Sequence, residues 1–327
     1  MPTRPLAWLI FLGCIGGAVV LTVLRLWQPT VMLSVRLVAF TPWVPLALLV
    51  AGGLGLVLLG GWRRLVVTML IAGLLGLHAY WLAPLFVGAR QHEQVAASAG
   101  QDPHVIRVLT VNARLGQADP ERIVEIVRNR GVDLLTVQEI TDPLLAGLQE
   151  AGLNDLLPEH VGEPQAPPLG TMVFAAAPLT SGVAIHTGMQ TWSTTMTTAQ
   201  GDLRFMAVHP HAPITNVRAW AEAQRVLRAA AVDADVIAGD FNATLAHRPL
   251  LNLRADGFRS SAELTNAGLR FTWPAGGRFH LGPIGLPCMV QIDHILVRTS
   301  VWTAVNTAYV EIPGSDHTGV IADLVRR

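Results

Sequence analysis

The chain of 327 residues contains no lysine, and its first 88 residues contain no aspartate or glutamate. Those 88 residues hold five of the 23 basic residues, whereas residues 89–327 hold the other 18 arginines and all 23 acidic residues. The longer part therefore has a formal charge of −5. Proteins that bind nucleic acid usually present a basic surface to its phosphates, so this balance disfavours a nucleic-acid binder.

Cysteine and tyrosine are almost absent as well. Cys14 lies in an apolar run and Cys288 in the later, more polar part. Two cysteines in such different surroundings predict neither a disulfide nor cysteine-based catalysis. The only tyrosines are Tyr80 and Tyr309, so the sequence points to no tyrosine in an active site.

Long apolar runs dominate the first 88 residues, at about 6–26, 42–61 and 65–86. A helix of ~20 residues crosses the hydrocarbon core of a bilayer, so each run is long enough to span it. The alternative for the first run is a signal peptide, but more apolar chain follows Trp27 where a cleavage site would be expected. Buried core helices are the alternative for all three runs, and the absence of acidic residues favours membrane spans.

The arginines around these runs predict an orientation. Arg4 precedes the first run, and we place Arg63 and Arg64 in the turn between the second and third runs, on the same side. Arg25 and Arg36 flank the loop on the other side. Because basic residues accumulate on the cytoplasmic side of membrane proteins, we expect a multi-pass protein of the cell membrane with an extracytoplasmic C-terminal domain.

Changes in composition and hydrophobic pattern divide the rest of the chain into a linker and a domain. Residues 89–104 are polar and patternless and are predicted to be a linker between a membrane anchor at 1–88 and a soluble domain at 105–327. In this domain, short apolar runs such as 132–137 alternate with helical patterns such as 120–130. Alternation of this kind predicts an α/β fold.

The stretch 236–243 runs from apolar residues directly into Gly239, Asp240, Phe241 and Asn242. A short apolar run followed by a glycine and polar residues predicts a buried strand that ends at a site. Side chains two residues apart on extended chain point the same way, so a carboxylate and a carboxamide would lie side by side. The alternative is a strand end followed by an Asx turn.

Other polar residues also fall at or beside the ends of predicted strands. They are Asn112, Glu139, His209, Asp293, Asp316 and His317. Each has an ordinary structural interpretation, as a surface acid, a turn residue or part of a polar loop. Together they favour a shared site, because core strands need apolar residues and these strands carry acids and histidines where they finish.

These segments resemble the endonuclease/exonuclease/phosphatase superfamily, whose fold is shared by DNase I, abasic-site endonucleases, inositol-polyphosphate phosphatases and bacterial sphingomyelinases. The resemblance covers about residues 105–327, and its strongest pair is Gly-Asp-x-Asn at 239–242 with Ser-Asp-His at 315–317. The other matching segments are 109–112, 137–139, 208–209 and 291–295. The resemblance implies a four-layered α/β sandwich, two packed β-sheets with helices outside, and hydrolysis of a phosphate ester with Mg²⁺ or Mn²⁺.

The resemblance also implies which residues hold the metal ion. Glu139 would be the main ligand, with Asn112 and Asp316 beside it. Oxygen ligands with few protein carboxylates suit Mg²⁺, which keeps several waters and takes oxygens from its substrate.

Five further residues acquire roles from the same resemblance. Asp240 would orient or deprotonate the attacking water, and Asn242 would hold a phosphate oxygen. His317 would act on the water or stabilise the pentacovalent phosphorus, with Asp293 fixing its tautomer. His209 would donate to a phosphoryl oxygen or to the leaving group. Metal and donors together would stabilise the charge that grows in the transition state.

One position departs from the family pattern, and one catalytic role could be filled by either of two histidines. Abasic endonucleases carry an acid two residues after the first asparagine, whereas this chain has Arg114. That departure argues against a second metal site. His211 is an alternative to His209 as the first catalytic histidine, although His209 fits the strand end better.

Three apolar spans before this domain resemble the membrane-bound actinobacterial branch of the superfamily, which includes a teicoplanin-resistance membrane protein associated with undecaprenyl pyrophosphate. An anchor raises the effective concentration of lipid head groups at the site. We therefore expect a membrane-anchored phosphohydrolase or phosphodiesterase whose partners are the lipid bilayer and a phosphorylated lipid or polyprenyl pyrophosphate. The alternatives are a surface-tethered DNase I-like nuclease and an inactive membrane protein that kept the fold.

Overall fold

The computed structural model describes residues 3–88, 105–276, 280–281, 284–285 and 287–327. The predicted linker, 89–104, lies outside these ranges. The helices and strands below are numbered in chain order within the described residues.

Helices form the N-terminal part of the chain. They are α1 (Thr3–Trp27), α2 (Met32–Val38), α3 (Val44–Leu58) and α4 (Gly61–Leu82), with 3-10 turns at Thr41–Trp43 and Ala83–Leu85. Three stretches are long and apolar enough to cross a membrane, namely Arg4–Trp27, Thr41–Leu58 and Gly61–Leu85. Phe11 and Ala18 of α1 pack with Leu48 and Ala51 of α3 and with Ile71 of α4, so the three long helices form one bundle.

Two details of this bundle differ from the sequence prediction. The chain reverses at Leu59 and Gly60, and α4 begins at Gly61, so Arg63 and Arg64 lie in the first turn of α4 rather than in the turn before it. The loop after α1 contains the short helix α2, which the sequence did not predict. Val35 of α2 is buried. The sequence of this short loop contains no helical repeat that would predict this burial.

The described residues from 105 onward contain two six-stranded sheets and a small hairpin. Its strands are β1 (Ile106–Asn112), β2 (Leu134–Gln138), β3 (Glu159–Glu163), β4 (Thr171–Ala175), β5 (Leu179–His186), β6 (Gln190–Met196), β7 (Leu203–Val208), β8 (Val236–Asp240), β9 (Phe258–Ser260), β10 (His280–Leu281), β11 (Ile284–Gly285), β12 (Asp293–Arg298), β13 (Trp302–Glu311) and β14 (Thr318–Arg326). The first sheet has the order β13-β14-β1-β2-β4-β3 and the second β5-β6-β7-β8-β12-β9.

Helices cover the outer faces of both sheets. They are α5 (Pro120–Arg130), α6 (Asp142–Glu150), α7 (Leu153–Leu156), α8 (Val217–Ala230) and α9 (Arg248–Ala255), whereas α10 (Ser261–Leu264) adds Leu264 to the core between the sheets. Val108 and Leu134 of the first sheet pack with Phe205, Val236 and Ile295 of the second in a core between the sheets. Separate cores lie beneath the helices on either side. The predicted four-layered α/β sandwich is confirmed.

Strand pairing brings the polar strand ends to one edge of the sandwich. β1 and β2 are parallel, with Asn112 opposite Gln138, so Glu139 follows directly beside the end of β1. β8 and β12 are antiparallel, with Asp240 opposite Asp293. The end of one strand and the start of the other therefore supply carboxylates to the same place.

Gly239 is the residue in β8 whose replacement we expect to be most harmful to this edge. Its φ of +149° is rare for L residues, and a Cβ there would lie 2.0 Å from the carbonyl oxygen of Val208 in β7. We expect Gly239→Ala to destabilise the protein by ~3 kcal/mol or more, because a buried strand must move to relieve the overlap.

The matched control is Gly257→Ala, since Gly257 has φ +96° with open space around its Cβ position. Only backbone strain of ~1–2 kcal/mol applies at that position. Thermal unfolding of the two variants, followed by circular dichroism, measures the difference. Equal midpoints would show that contact with β7 does not constrain Gly239.

Candidate active site

Glu139 lies just after β2 in a left-handed conformation, with φ +59°. Its Oε1 accepts a hydrogen bond from Asn112 Nδ2 at 3.1 Å, and its Oε2 accepts one from the backbone N–H of Leu115 at 2.6 Å. Burial raises the pKa of Glu139, and these two hydrogen bonds oppose the increase. Residues other than glycine rarely adopt this conformation, and those that do cluster at functional sites.

Asp240 ends β8 and is buried. Its Oδ1 accepts from the backbone N–H of Asn242 at 2.8 Å, and its Oδ2 accepts from Asn112 Nδ2 at 3.1 Å. Burial, followed by the charge of Asp293, raises the pKa of Asp240 to about 7, while His317 acts in the opposite direction. Asp240 therefore has a proton affinity suited to general base chemistry near neutral pH.

Asn242 has φ +49°, which lets the chain turn back immediately after Asp240. Its Nδ2 donates to the backbone oxygen of Pro210 at 3.0 Å, so this bond fixes the side chain across the cleft floor. The role predicted for Asn242, holding a phosphate oxygen, would use the remaining amide hydrogen and stays a prediction.

His317 and Asp293 form a buried pair. Nδ1 of His317 lies 2.9 Å from Oδ2 and 3.2 Å from Oδ1 of Asp293. Burial alone would lower the pKa of His317, but the neighbouring carboxylates, Asp293 foremost, raise it to about 10. Ser315 fixes the loop, because its Oγ donates to Asn112 O at 2.7 Å and accepts from the His317 N–H at 2.9 Å. The geometry therefore holds an imidazolium with Nδ1 donating to a carboxylate.

His209 is buried at the end of β7, and its Nε2 lies 3.8 Å from both Glu139 Oε1 and Asp240 Oδ2. Burial lowers its pKa to about 3, so the imidazole is neutral. Its backbone N–H donates to Thr191 Oγ1 at 3.2 Å. His211, the alternative, lies with its ring against Gly188. Of the two histidines, His209 is the one close to both carboxylates.

Asp316 and Arg114 lie at the mouth of the site. Arg114 Nε is 3.8 Å from Asp316 Oδ1, and Asp316 Oδ1 is 4.0 Å from His317 Nε2. Nη1 of Arg114 is buried and makes no hydrogen bond to any residue that the structure describes. A guanidinium therefore lies where the sequence comparison with abasic endonucleases would have placed an acid.

The residues present suit a divalent cation. Glu139, which is half-buried, and Asp240, which is buried, have carboxylates with raised pKa values that share one amide donor, Asn112, and a cation would neutralise their charges. Asn112 offers nitrogen to them, since its Oδ1 accepts from the Arg114 N–H at 2.9 Å.

A second arrangement of ligand atoms overlaps this one. Among the described residues, Asp240, Asp293 and His317 offer ligand atoms within 4.8 Å of one another. This group differs from the predicted metal ligands, Asn112, Glu139 and Asp316. Because His317 and Asp293 already bond to each other, we consider the Glu139 and Asp240 oxygens the better ligands for a hard cation.

Six of the eight predicted site residues line one cleft, and the other two contact them: Asn112 donates to Glu139 and Asp240, and Asp293 bonds His317. Other contributors to the site were not predicted, notably Thr272 and the loop before α3. Thr272 Oγ1 accepts from the backbone N–H groups of Ile292 and Asp293 at 3.1 and 3.2 Å, which fixes the start of β12. Phe40, in that loop, lines the cleft from the N-terminal helical part of the chain. Neither residue belongs to a sequence motif. Each reaches the site through contacts with residues that are distant in the chain.

A sequence profile described as the Endonuclease/Exonuclease/phosphatase family matches residues 109–317. No curated protein matches the chain in a sequence search.

Several solved structures share the fold. D. rerio TDP2 complexed with a single-strand DNA product is 16% identical over 68% of this chain and 99% of that one, with a TM-score of 0.55. The Bacteroides thetaiotaomicron mannosyl-6-phosphatase Bt3783 is 16% identical over 67% and 99%, with a TM-score of 0.50. A Bacteroides vulgatus endonuclease/exonuclease/phosphatase is 18% identical over 68% and 99%, also with a TM-score of 0.50. At such identities the likeness concerns the fold and not the substrate.

Proposed function

Because the chain belongs to the endonuclease/exonuclease/phosphatase family, we propose that it is a membrane-anchored, Mg²⁺- or Mn²⁺-dependent phosphoric ester hydrolase that acts outside the cytoplasm on a lipid-linked phosphate or pyrophosphate. The observation that carries the proposal is the convergence of Glu139, Asp240 and the His317–Asp293 pair from separate strands and loops. Separated residues with shifted pKa values in one cleft are typical of a catalytic site.

Each side chain of the site has a separate role in the proposed reaction. Asp240 accepts the proton of the attacking water, because it is a buried carboxylate beside the place where a cation would hold that water. The His317 imidazolium stabilises negative charge on the phosphoryl group, and Asp293 holds its Nδ1 hydrogen. Neutral His209 donates a hydrogen bond to a phosphoryl oxygen. A divalent cation held by Glu139 and Asp240 would polarise the phosphoryl oxygens and neutralise charge.

The anchor supports the membrane part of the proposal. The soluble domain contacts the end of the bundle that carries the loop between α1 and α3: Trp43 Nε1 donates to Met289 O at 2.8 Å, and the Gly268 N–H donates to Leu85 O at 2.9 Å. Arg63 and Arg64 lie at the start of α4, whereas Leu85 follows its end. The positive-inside tendency then supports a catalytic domain on the extracytoplasmic side.

Metal dependence and substrate class are tested together on the full chain in detergent. We expect phosphate release from a polyprenyl pyrophosphate or a lipid phosphate with Mg²⁺ or Mn²⁺, and none with excess chelator. Faster cleavage of plasmid DNA than of every lipid substrate would instead favour a tethered nuclease. Absence of metal-dependent hydrolysis of any phosphate ester would contradict the enzyme assignment.

Glu139→Gln is expected to raise the metal concentration needed for half-maximal activity by at least about tenfold, because a neutral amide is a weaker ligand than a carboxylate. Activity titrated with Mn²⁺ measures this shift. Glu159→Gln is the matched control, since Glu159 is exposed on β3. If the two variants had equal metal requirements, Glu139 would not be a ligand.

A further inference from the structure

The cleft beside the catalytic residues has one wall that comes from the membrane anchor. We call this wall the α2 wall; it comprises Val35, Arg36, Ala39 and Phe40. These residues belong to the loop and short helix between α1 and α3, which both contribute candidate membrane spans. The same cleft is lined by Glu139, Asp240 and His317. A surface adjoining two membrane spans thus continues to the catalytic carboxylates.

The α2 wall is fixed to the soluble domain by the burial of Val35. His247 Nε2 bonds the backbone oxygen of Val35 at 2.8 Å, while its Nδ1 accepts from the Thr244 N–H at 2.9 Å. The side chain of Val35 packs in the same core as Trp220 and Phe241.

Contacts on either side of α2 also hold the wall in place. Gln28 Nε2 donates to Ala246 O at 2.8 Å, and Arg36 donates to Ile214 O. Trp43 stacks on Phe271 with ring centroids 5.0 Å apart. The anchor is therefore a structural part of the cleft and not a remote tether.

The cleft is larger and more apolar than a phosphate group requires. Its volume is about 590 Å³, within the range of ~300–1,000 Å³ found for pockets that hold whole organic ligands. Beyond the catalytic residues it is lined by Phe40, Leu115, Met189, Ile214 and Ile292. Leu115 and Ile214 remain 46% and 59% exposed, so apolar surface faces the open cleft.

The charges in the cleft are arranged for one phosphoryl group and not for a polyanion. Glu139, Asp240 and Asp316 are acidic, and Arg36, Arg114 and the His317 imidazolium balance them in its lining. A strand of nucleic acid would meet no excess of basic groups along this lining, and apolar side chains elsewhere. A single phosphate fits the charged region of the cleft, and a hydrocarbon chain attached to that phosphate fits the apolar region.

We infer that the α2 wall is a substrate-binding surface: the hydrocarbon chain of a phosphorylated lipid lies against Phe40 and Ala39 and opposite Ile214, with its phosphate at Asp240 and His317. This inference rests on the proposed function and adds to it the residues that select the substrate. Because the wall adjoins the ends of two membrane spans, a lipid can keep the rest of its chain in the bilayer while its phosphate lies in the site.

Binding of non-hydrolysable phosphonates separates this inference from catalysis. Butylphosphonate and decylphosphonate are titrated into the full chain in nanodiscs with Mg²⁺, and affinities are measured by calorimetry. Each methylene group that leaves water adds up to about fourfold in affinity, so the wild-type protein is expected to prefer the decyl compound. Phe40→Ala should lower this preference about tenfold, because it removes a large apolar contact surface.

Matched variants control for partitioning into the bilayer and for misfolding. Leu33→Ser alters an exposed residue of α2 outside the cleft lining, and it is expected to keep the wild-type preference. If Phe40→Ala fails to fold, Ile214→Ser tests the part of the cleft lining that the soluble domain contributes. Val232→Ser, at an exposed residue, is the control for Ile214→Ser.

Each outcome decides the inference. A preference that falls in Phe40→Ala and Ile214→Ser but not in the controls supports it. A preference unchanged in both cleft variants, or absent from the wild-type protein, overturns it even if metal-dependent hydrolysis is observed. Chain-selective binding without any hydrolysis would retain the α2 wall as a lipid site and remove the proposed function instead.

Discussion

Hydrolysis by the Asp240→Asn protein is expected to be at least about a hundredfold slower than by the wild-type protein, because an amide cannot take the proton of the attacking water. The substitution keeps the shape of the side chain, and the amide oxygen can accept from the Asn242 N–H, which lies 2.8 Å from Oδ1 of Asp240. The amide nitrogen cannot accept from Asn112 Nδ2, a loss of ~1 kcal/mol in stability, so the main loss should appear in kcat. Initial rates of phosphate release at saturating Mn²⁺ measure it.

Asp233→Asn is the control for this experiment, since Asp233 is an exposed aspartate shortly before β8. Its activity should equal that of the wild-type protein. Both variants should also keep the thermal midpoint of the wild-type protein to within a few degrees. Wild-type kcat in Asp240→Asn would show that another group is the base.

The motif around Asp240 explains why this part of the site is readable from sequence. A buried strand, a glycine with φ +149° and a turn at Asn242 are encoded within a few residues, so local chemistry fixes their geometry. The helix at Pro120–Arg130 is equally local: Asp119 caps it and Gly131 ends it in a left-handed conformation, as the sequence indicates. Convergence of the strand ends followed from the resemblance, since no local pattern specifies which strands become neighbours.

The features that sequence reasoning missed depend on distant contacts. β3 was not predicted because its residues are half-exposed or exposed and include Glu159 and Gly162, neither of which favours a strand. The burial of Val35 depends on His247, which is 212 residues away in the chain. Arg63 and Arg64 were placed in the turn between the second and third apolar runs, whereas α4 already begins at Gly61. Tertiary packing decided the first two of these cases.

The His317–Asp293 pair provides the second large effect. Asp293→Asn is expected to lower kcat about a hundredfold or more, because a neutral amide no longer stabilises the imidazolium or fixes its Nδ1 hydrogen. In this structure the nearby carboxylates, Asp293 first among them, hold the pKa of His317 at about 10. Asp202→Asn, at an exposed aspartate, is the matched control and should leave kcat unchanged.

A double-mutant cycle shows whether the two residues act as one unit. Since Asp293 acts through the imidazole 2.9 Å away, removing it from a His317→Ala protein should cost little more activity. If the double variant instead loses the product of the two single effects, Asp293 acts independently of His317. Asp293 lies opposite Asp240 in the β8–β12 ladder, so such a result would identify it as a partner of the general base or as a metal ligand. Mn²⁺ titration of Asp293→Asn separates those two roles, because a lost ligand raises the metal requirement and a lost partner of Asp240 does not.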